Sequence, residues 1–388
     1  MGKAIIIVLD GVGLTEAPDA DEYGDVGSAT LPHTAEAVGG LTLENLGRLG
    51  VGNLAKIPGT PPVEKPKGAL ARLFPRSAGK DSTTGHWELA GLITREPFPT
   101  YPEGFPPEVI ERFSEKIGRG VLGNCVASGT EIIQRLREEH LETGKPIVYT
   151  SGDSVFQIAA HEDIVPVGLL YDWCRMARKI LSGKHGVSRV IARPFTGEAG
   201  NFIRTPKRRD FSLEPAGPTL LTKVDRAWLP VISVAKIWDL FGGVGITDAV
   251  FTHSNAEGIS ETRRLIRESE EGLIFTNLVD FDMLWGHRND PRGLAEGLLE
   301  FDRELPSIME AMSEEDLLFL TADHGNDPVT PSTDHSREIV PMLAWGEGIS
   351  PGMLGNRDTF ADLGQTIAEF LGAEPTRDGK SFLGEILP

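Results

Sequence analysis

Cysteine is nearly absent from this 388-residue chain: Cys125 and Cys174 stand alone, with no CxxC pair. A disulfide framework is therefore not expected, and a reducing compartment, the cytoplasm, is the expected location. Positive charge is scarce as well. Thirty-eight Lys and Arg face 57 Asp and Glu, a net charge of −19, which argues against nucleic acid or an anionic membrane as partner because both need a positive field. A small anionic substrate stays open, since a local cluster of cations overrides the global field at short range. Long apolar runs are missing too. The first, Ala4 to Leu9, stops at Asp10-Gly11, too soon for a signal peptide, and no segment approaches the roughly 20 residues that span a bilayer. What is present, 40% apolar and 24% charged residues over a length sufficient for two or three domain-sized units, describes a soluble globular protein.

Three continuous apolar runs, Ala4–Leu9, Leu273–Val279 and Leu317–Leu320, read as strands covered on both faces. Helical patterns intervene, among them Pro291 to Met312, so the fold class is α/β with a mainly parallel sheet. The middle of the chain reads as a separate unit. Pro97–Pro107 is a helix-hostile stretch and Glu214-Pro-Ala-Gly-Pro218 a second break; between them lie strands at Ile147–Thr150 and Arg189–Ala192 and a helix near Tyr171–Leu181. Residues 97–217 are thus expected to form an inserted domain of about 120 residues, with 1–96 and 218–388 as a discontinuous core.

Each of the three apolar runs ends in an acidic cluster, where ligands bind in such sheets. Asp10 follows the first, although Asp-Gly is also a common turn. Asp280, Asp282 and His287 follow the second, and spacing alone does not choose between the two acids. Asp323-His324 follow the third, with His335 eleven residues on. Buried acid–imidazole pairs are costly unless neutralised, and a divalent cation does that. Three carboxylates and three imidazoles are about what two adjacent ions require, which points to metal-dependent phosphoryl transfer. The stretch Gly79-Lys-Asp-Ser-Thr-Thr-Gly-His86 supplies hydroxyls running into a helix at Trp87–Ala90. A hydroxyl there, beside a metal and the positive end of a helix, can act as a nucleophile; otherwise it is an ordinary N-cap.

At these residues the sequence resembles the prokaryotic phosphopentomutases of the alkaline phosphatase superfamily. The resemblance runs through Leu9-Asp-Gly-Val-Gly13, Gly79-Lys-Asp81 with Thr84-Gly-His-Trp-Glu88, Ala127–Glu131, Phe156–Glu162, Ile191–Pro194, Thr276–Asp282 with Gly286-His-Arg288, and Thr321–Pro328 with Thr333-Asp-His335. It implies an alkaline phosphatase-like core with a smaller α/β cap inserted. It implies Thr84 as the phosphoryl carrier, one Mn²⁺ on Asp10, Asp323 and His324 with Thr84 bridging, and a second on Asp282, His287 and His335. It selects Asp282 over Asp280. The implied reaction interconverts ribose 1-phosphate or 2-deoxyribose 1-phosphate with the 5-phosphate, through a phosphothreonine enzyme and a sugar bisphosphate; a bisphosphate such as glucose 1,6-bisphosphate would be the activator.

In the inserted unit Asp153 is a candidate for sugar hydroxyls. Arg189 and Arg193, four apart on a strand and so on one face, are candidates for the non-reacting phosphate. Lys236 is a further candidate on the core side. His86 and His161 read as structural polar residues, and the cysteines as buried and inert. His253 departs from the family, which usually has Lys there. The rival readings are another bimetallic member of the superfamily, a phosphatase or a cofactor-independent phosphoglycerate mutase, and a non-catalytic metal- or nucleotide-sensing protein. The rival mutase typically uses Ser, and a sensor would have lost some of the six ligands.

Overall fold

A computed structural model describes residues 2–152, 154–197 and 202–387; Asp153 lies outside the described residues. The chain divides into two compact units, Met1–Pro97 with Pro215–Pro388, and Phe98–Glu214.

In the first unit the strands run side by side in the order Asp248–Val250, Val231–Val234, Gly272–Leu278, Lys3–Leu9, Leu317–Thr321, Glu338–Trp345, Ala69–Leu73, Gly352–Arg357. The first five are mutually parallel; Glu338–Trp345 is antiparallel to both its neighbours, and the last two are parallel to each other. The sheet is therefore mainly parallel. Lys3–Leu9, Gly272–Leu278 and Leu317–Thr321 are buried at every position, which is why they read as unbroken apolar runs. Helix Asn255–Glu268 packs against this sheet, and Pro291–Met309 packs against that helix. Pro291–Met309 buries Leu294, Leu298, Phe301, Leu305 and Ile308, one face at helical spacing, and Asp290 caps it. Truncating a central residue such as Ile6, fully buried, to Ala should cost about 2–5 kcal/mol.

Register fixes the site. Val8 lies opposite Asn277 on one side and Thr321 on the other, so three adjacent strands finish level. The residues that follow them, Asp10, Asp280 to His287 and Asp323-His324, therefore emerge at one edge.

The second unit has its own sheet, ordered Leu122–Val126, Ile147–Thr150, Val155–His161, Arg189–Thr196, Ile203–Arg204, with Arg209–Ser212 also pairing to Arg189–Thr196. Helices Pro107–Ile117 and Val167–Ile180 cover a core built on Phe113, Phe156, Trp173 and Val190, and Gly129–Thr143 covers a second one on Ile132, Tyr149 and Phe195. Cys174 is buried as expected, whereas Cys125 is partly exposed; its strand lies at the edge of the sheet and is covered less completely than the next two.

Candidate metal centre

Asp10, Asp282 and Asp323 converge, all nearly or fully buried. His324 Nε2 lies 3.1 Å from Asp323 Oδ2 and 3.5 Å from Asp10 Oδ1. His335 Nε2 lies 3.2 Å from Asp282 Oδ1, and His287 Nε2 3.3 Å from Asp282 Oδ2. Two groups of donor atoms are each compact enough to share an ion: Asp10, Asp323 and His324, and Asp282, His324 and His335. His324 thus belongs to both. His287, more exposed, flanks the second group through Asp282.

The donor set suits divalent cations on independent grounds. His287 Nδ1 donates to Thr333 O at 2.7 Å and His324 Nδ1 to Gly325 O at 3.0 Å. These bonds fix the tautomers with Nε2 lone pairs facing carboxylate oxygens, an arrangement that repels unless a proton or a metal stands between. Asp10 Oδ1 and His335 Nε2 are buried without a hydrogen-bond partner. Burial lowers the His324 imidazole, but the charge of Asp323, with Asp10 and Asp282, outweighs it and holds His324 at about 10. Asp282 is pushed up by burial, yet His335 and Lys236 pull it well below the usual carboxylate range. Asp10 stays raised, its burial only partly offset by Lys236.

Thr84 sits in the first turn of helix Ser82–Leu89, which begins five residues earlier than expected from the apolar residues alone. Asp81 caps it, accepting from Thr83 N at 3.0 Å and Thr84 N at 3.2 Å. Thr84 Oγ1 donates to Asp81 O at 2.9 Å and Asp81 Oδ2 at 3.1 Å. Ser82 Oγ is 3.2 Å from His324 Nε2. Gly85 lets this helix press on the metal loop: a Cβ there would lie 2.2 Å from Asp323 O. A cleft beside Thr84 is lined by Gly79, Lys80, Gly85, Asp323 and Arg337.

Four residues escaped sequence reasoning or changed meaning. His86, read as merely structural, accepts from Asn277 at Nε2 and directs Nδ1–H at Ser82 O and Asp323 Oδ2, 2.8 and 3.0 Å away. Asn326 Nδ2 donates to Asp282 Oδ1 at 2.7 Å. Arg337, buried, donates to Ser77 O and Gly79 O and pairs with Asp19, anchoring the segment before Thr84. Asp81 had a readable signal, an Asp directly before Ser-Thr-Thr in an N-cap position.

The candidate substrate residues are dispersed in role. Lys236 Nζ sits on carboxylates, 2.7 Å from Asp10 Oδ2 and 3.6 Å from Asp282 Oδ2. In the second unit Arg189 Nη1 is 3.5 Å from Asp210 Oδ2, and Arg193 Nε donates to Gln157 Oε1 at 3.1 Å. Burial, with repulsion from Arg208, lowers Arg193 to about 10, which leaves it charged at neutral pH. His253, exposed, donates its backbone N–H to Glu257.

Fold and site define a metal-binding α/β enzyme of the alkaline phosphatase type, and a model of the metalloenzyme superfamily matches residues 2–375. The Pyrococcus horikoshii PH0037 protein shares the fold, with a TM-score of 0.50 at 16% identity over 96% of this chain and 97% of its own. A phosphopentomutase of Dictyoglomus turgidum is 57% identical over 100% of this chain and 98% of its own length. One from Desulfitobacterium hafniense is 55% identical with both chains fully covered. At that identity over full length, the chain belongs to the phosphopentomutase family, whose members are isomerases that move a phosphoryl group within a molecule.

Proposed function

We propose that the chain interconverts α-D-ribose 1-phosphate, or 2-deoxyribose 1-phosphate, with the corresponding 5-phosphate through phospho-Thr84 and a sugar bisphosphate. The observation that carries this reading is the meeting of Asp10, Asp282 and Asp323 with three imidazoles next to the helix that begins at Ser82. Asp10, Asp323 and His324 would hold one Mn²⁺ together with Thr84, and Asp282, His287 and His335 the other. Bound there, the pair would supply positive charge that screens phosphoryl oxygens and makes a hydroxyl acidic.

The chain's own residues set the geometry. The first turn of Ser82–Leu89 presents Thr84 and its amides with the positive end of the helix dipole. His86 and Asn326 orient Asp323 and Asp282, and the Nδ1 bonds of His287 and His324 aim their Nε2 atoms. Arg189 and Arg193 are proposed contacts of the non-reacting phosphate, and Asp153 of the sugar. Lys236 is proposed to exchange its carboxylate partners for substrate phosphate when cations neutralise Asp10 and Asp282. The cytoplasm is the proposed location, consistent with two unpaired cysteines.

Thr84→Ala tests the carrier. The variant should keep its circular dichroism and melting temperature and lose ribose 5-phosphate formation. Intact-mass measurement after incubation with glucose 1,6-bisphosphate should show one added phosphoryl group in the native chain and none in the variant. Full mutase activity in Thr84→Ala would reject the assignment.

A further inference from the structure

Resting on the reading of Thr84 as carrier, we propose that Asp81 is a positioning residue whose carboxylate stands in for the phosphoryl group while Thr84 is free. Its Oδ1 accepts from the amides of Thr83 and Thr84, and its Oδ2 accepts from the Thr84 hydroxyl, which also donates to Asp81 O. Those are the donors that an anion at this helix start would use. Gly79 makes room for the arrangement, since a Cβ there would lie 3.0 Å from Thr84 Oγ1 and 3.1 Å from Asp81 Oδ2.

Phosphorylation must dismantle it. A new P–O bond forms at Thr84 Oγ1 as the bond from phosphorus to the sugar oxygen breaks, and the hydroxyl proton ends on that departing oxygen. Oγ1 then has no proton to give Asp81, and a carboxylate faces a dianion at hydrogen-bonding range. Asp81 gives up the amides of Thr83 and Thr84, and the phosphoryl oxygens accept from them. The carboxylate therefore stabilises the free enzyme and opposes the phosphorylated one, bringing the two states closer in energy. A mutase needs that balance, because Thr84 must both accept and return the group within one cycle.

The experiment equilibrates the native chain, Asp81→Asn and Asp81→Ala with Mn²⁺ and a fixed ratio of glucose 1,6-bisphosphate to glucose 6-phosphate. Intact mass gives the ratio of phosphorylated to free chain, and peptide mapping gives the site. Asn removes the charge while remaining a good N-cap, so its fold and melting temperature should be preserved; Ala removes both and should melt lower. Both variants should raise the phosphorylated-to-free ratio about tenfold, the scale of one like-charge contact removed. A purely structural role would lower occupancy in Ala and leave Asn unchanged. A phosphoryl group mapped to Thr84 with an unchanged or reduced ratio in Asp81→Asn overturns the placeholder alone. A phosphoryl group mapped elsewhere overturns the carrier assignment and the placeholder with it.

Discussion

Glu338 offers a test of the electrostatics beneath the site. The strand Glu338–Trp345 opens on this carboxyl, which is 1% exposed. Thr30 N, Thr30 Oγ1 and Ser336 Oγ donate to it at 3.0, 2.9 and 2.7 Å. Glycines seal it on two sides, a Cβ on either Gly13 or Gly325 coming within 2.3 Å of its side chain. Burial raises it from 4.5 to about 7, the three hydrogen bonds pulling down and the charge of Asp327 adding to the rise. A carboxyl that holds its proton more tightly when folded stabilises the fold fully below its ordinary 4.5 and loses that contribution as pH climbs through about 7. Between pH 5 and 8 the loss works out at about 2–3 kcal/mol, at about 1.36 kcal/mol per unit.

Glu338→Gln keeps the shape and an acceptor oxygen and removes the titration. Scanning calorimetry of both proteins at pH 5 and pH 8 isolates the contribution, because every other group cancels in the difference. For a body of this size the native midpoint should fall relative to that of Glu338→Gln by roughly 3–5 °C across that range. A difference that stays level from pH 5 to pH 8 would refute the reasoning, since Glu338 would then be ionised in the folded chain throughout.

Other perturbations probe the same geometry. His86→Leu removes the donor to Asp323 and should weaken Mn²⁺ binding about 10- to 100-fold by titration calorimetry; an unchanged affinity would mean Asp323 keeps its orientation unaided. Lys236→Met leaves Asp10 and Asp282 without their ammonium. It should destabilise the metal-free chain by about 1–3 kcal/mol, a deficit that saturating Mn²⁺ narrows because the cation meets the same need; an equal deficit with and without metal contradicts that. Chelation should abolish activity, and adding Mn²⁺ at a hundredfold its Kd should restore it and stabilise the fold by about 2.7 kcal/mol. A melting temperature indifferent to Mn²⁺ would exclude binding.

The sequence was most legible where physics acts locally. Lys3–Leu9, Gly272–Leu278 and Leu317–Thr321 are buried on both faces, so their composition announces them, and parallel pairing then brings the acidic residues beyond their carboxyl ends to one edge. Glu338–Trp345 was invisible for the opposite reason. It begins with a buried acid and contains Pro341, which ordinarily argues against an interior strand. The structure accommodates Pro341 because the ladder to Leu317–Thr321 ends one residue later, at Met342. Helix Ser82–Leu89 was expected too late because Ser-Thr-Thr looks like loop by polarity, whereas Asp81 capping their amides makes it the first turn.

The partition of ligands was less legible still. Strand ends show that negative charge gathers at one point and must be neutralised, but not by what. Lys236 and the imidazoles of His324 and His335 face these carboxylates, and His324 is close enough to both groups to serve either. Lys236 was expected only as a further substrate-binding candidate on the core side. Its ammonium instead lies on Asp10 and Asp282, which the proposed cations would neutralise in its place. Under that proposal, the anion Lys236 holds depends on the cations bound, a property of the occupied site that no residue pattern encodes.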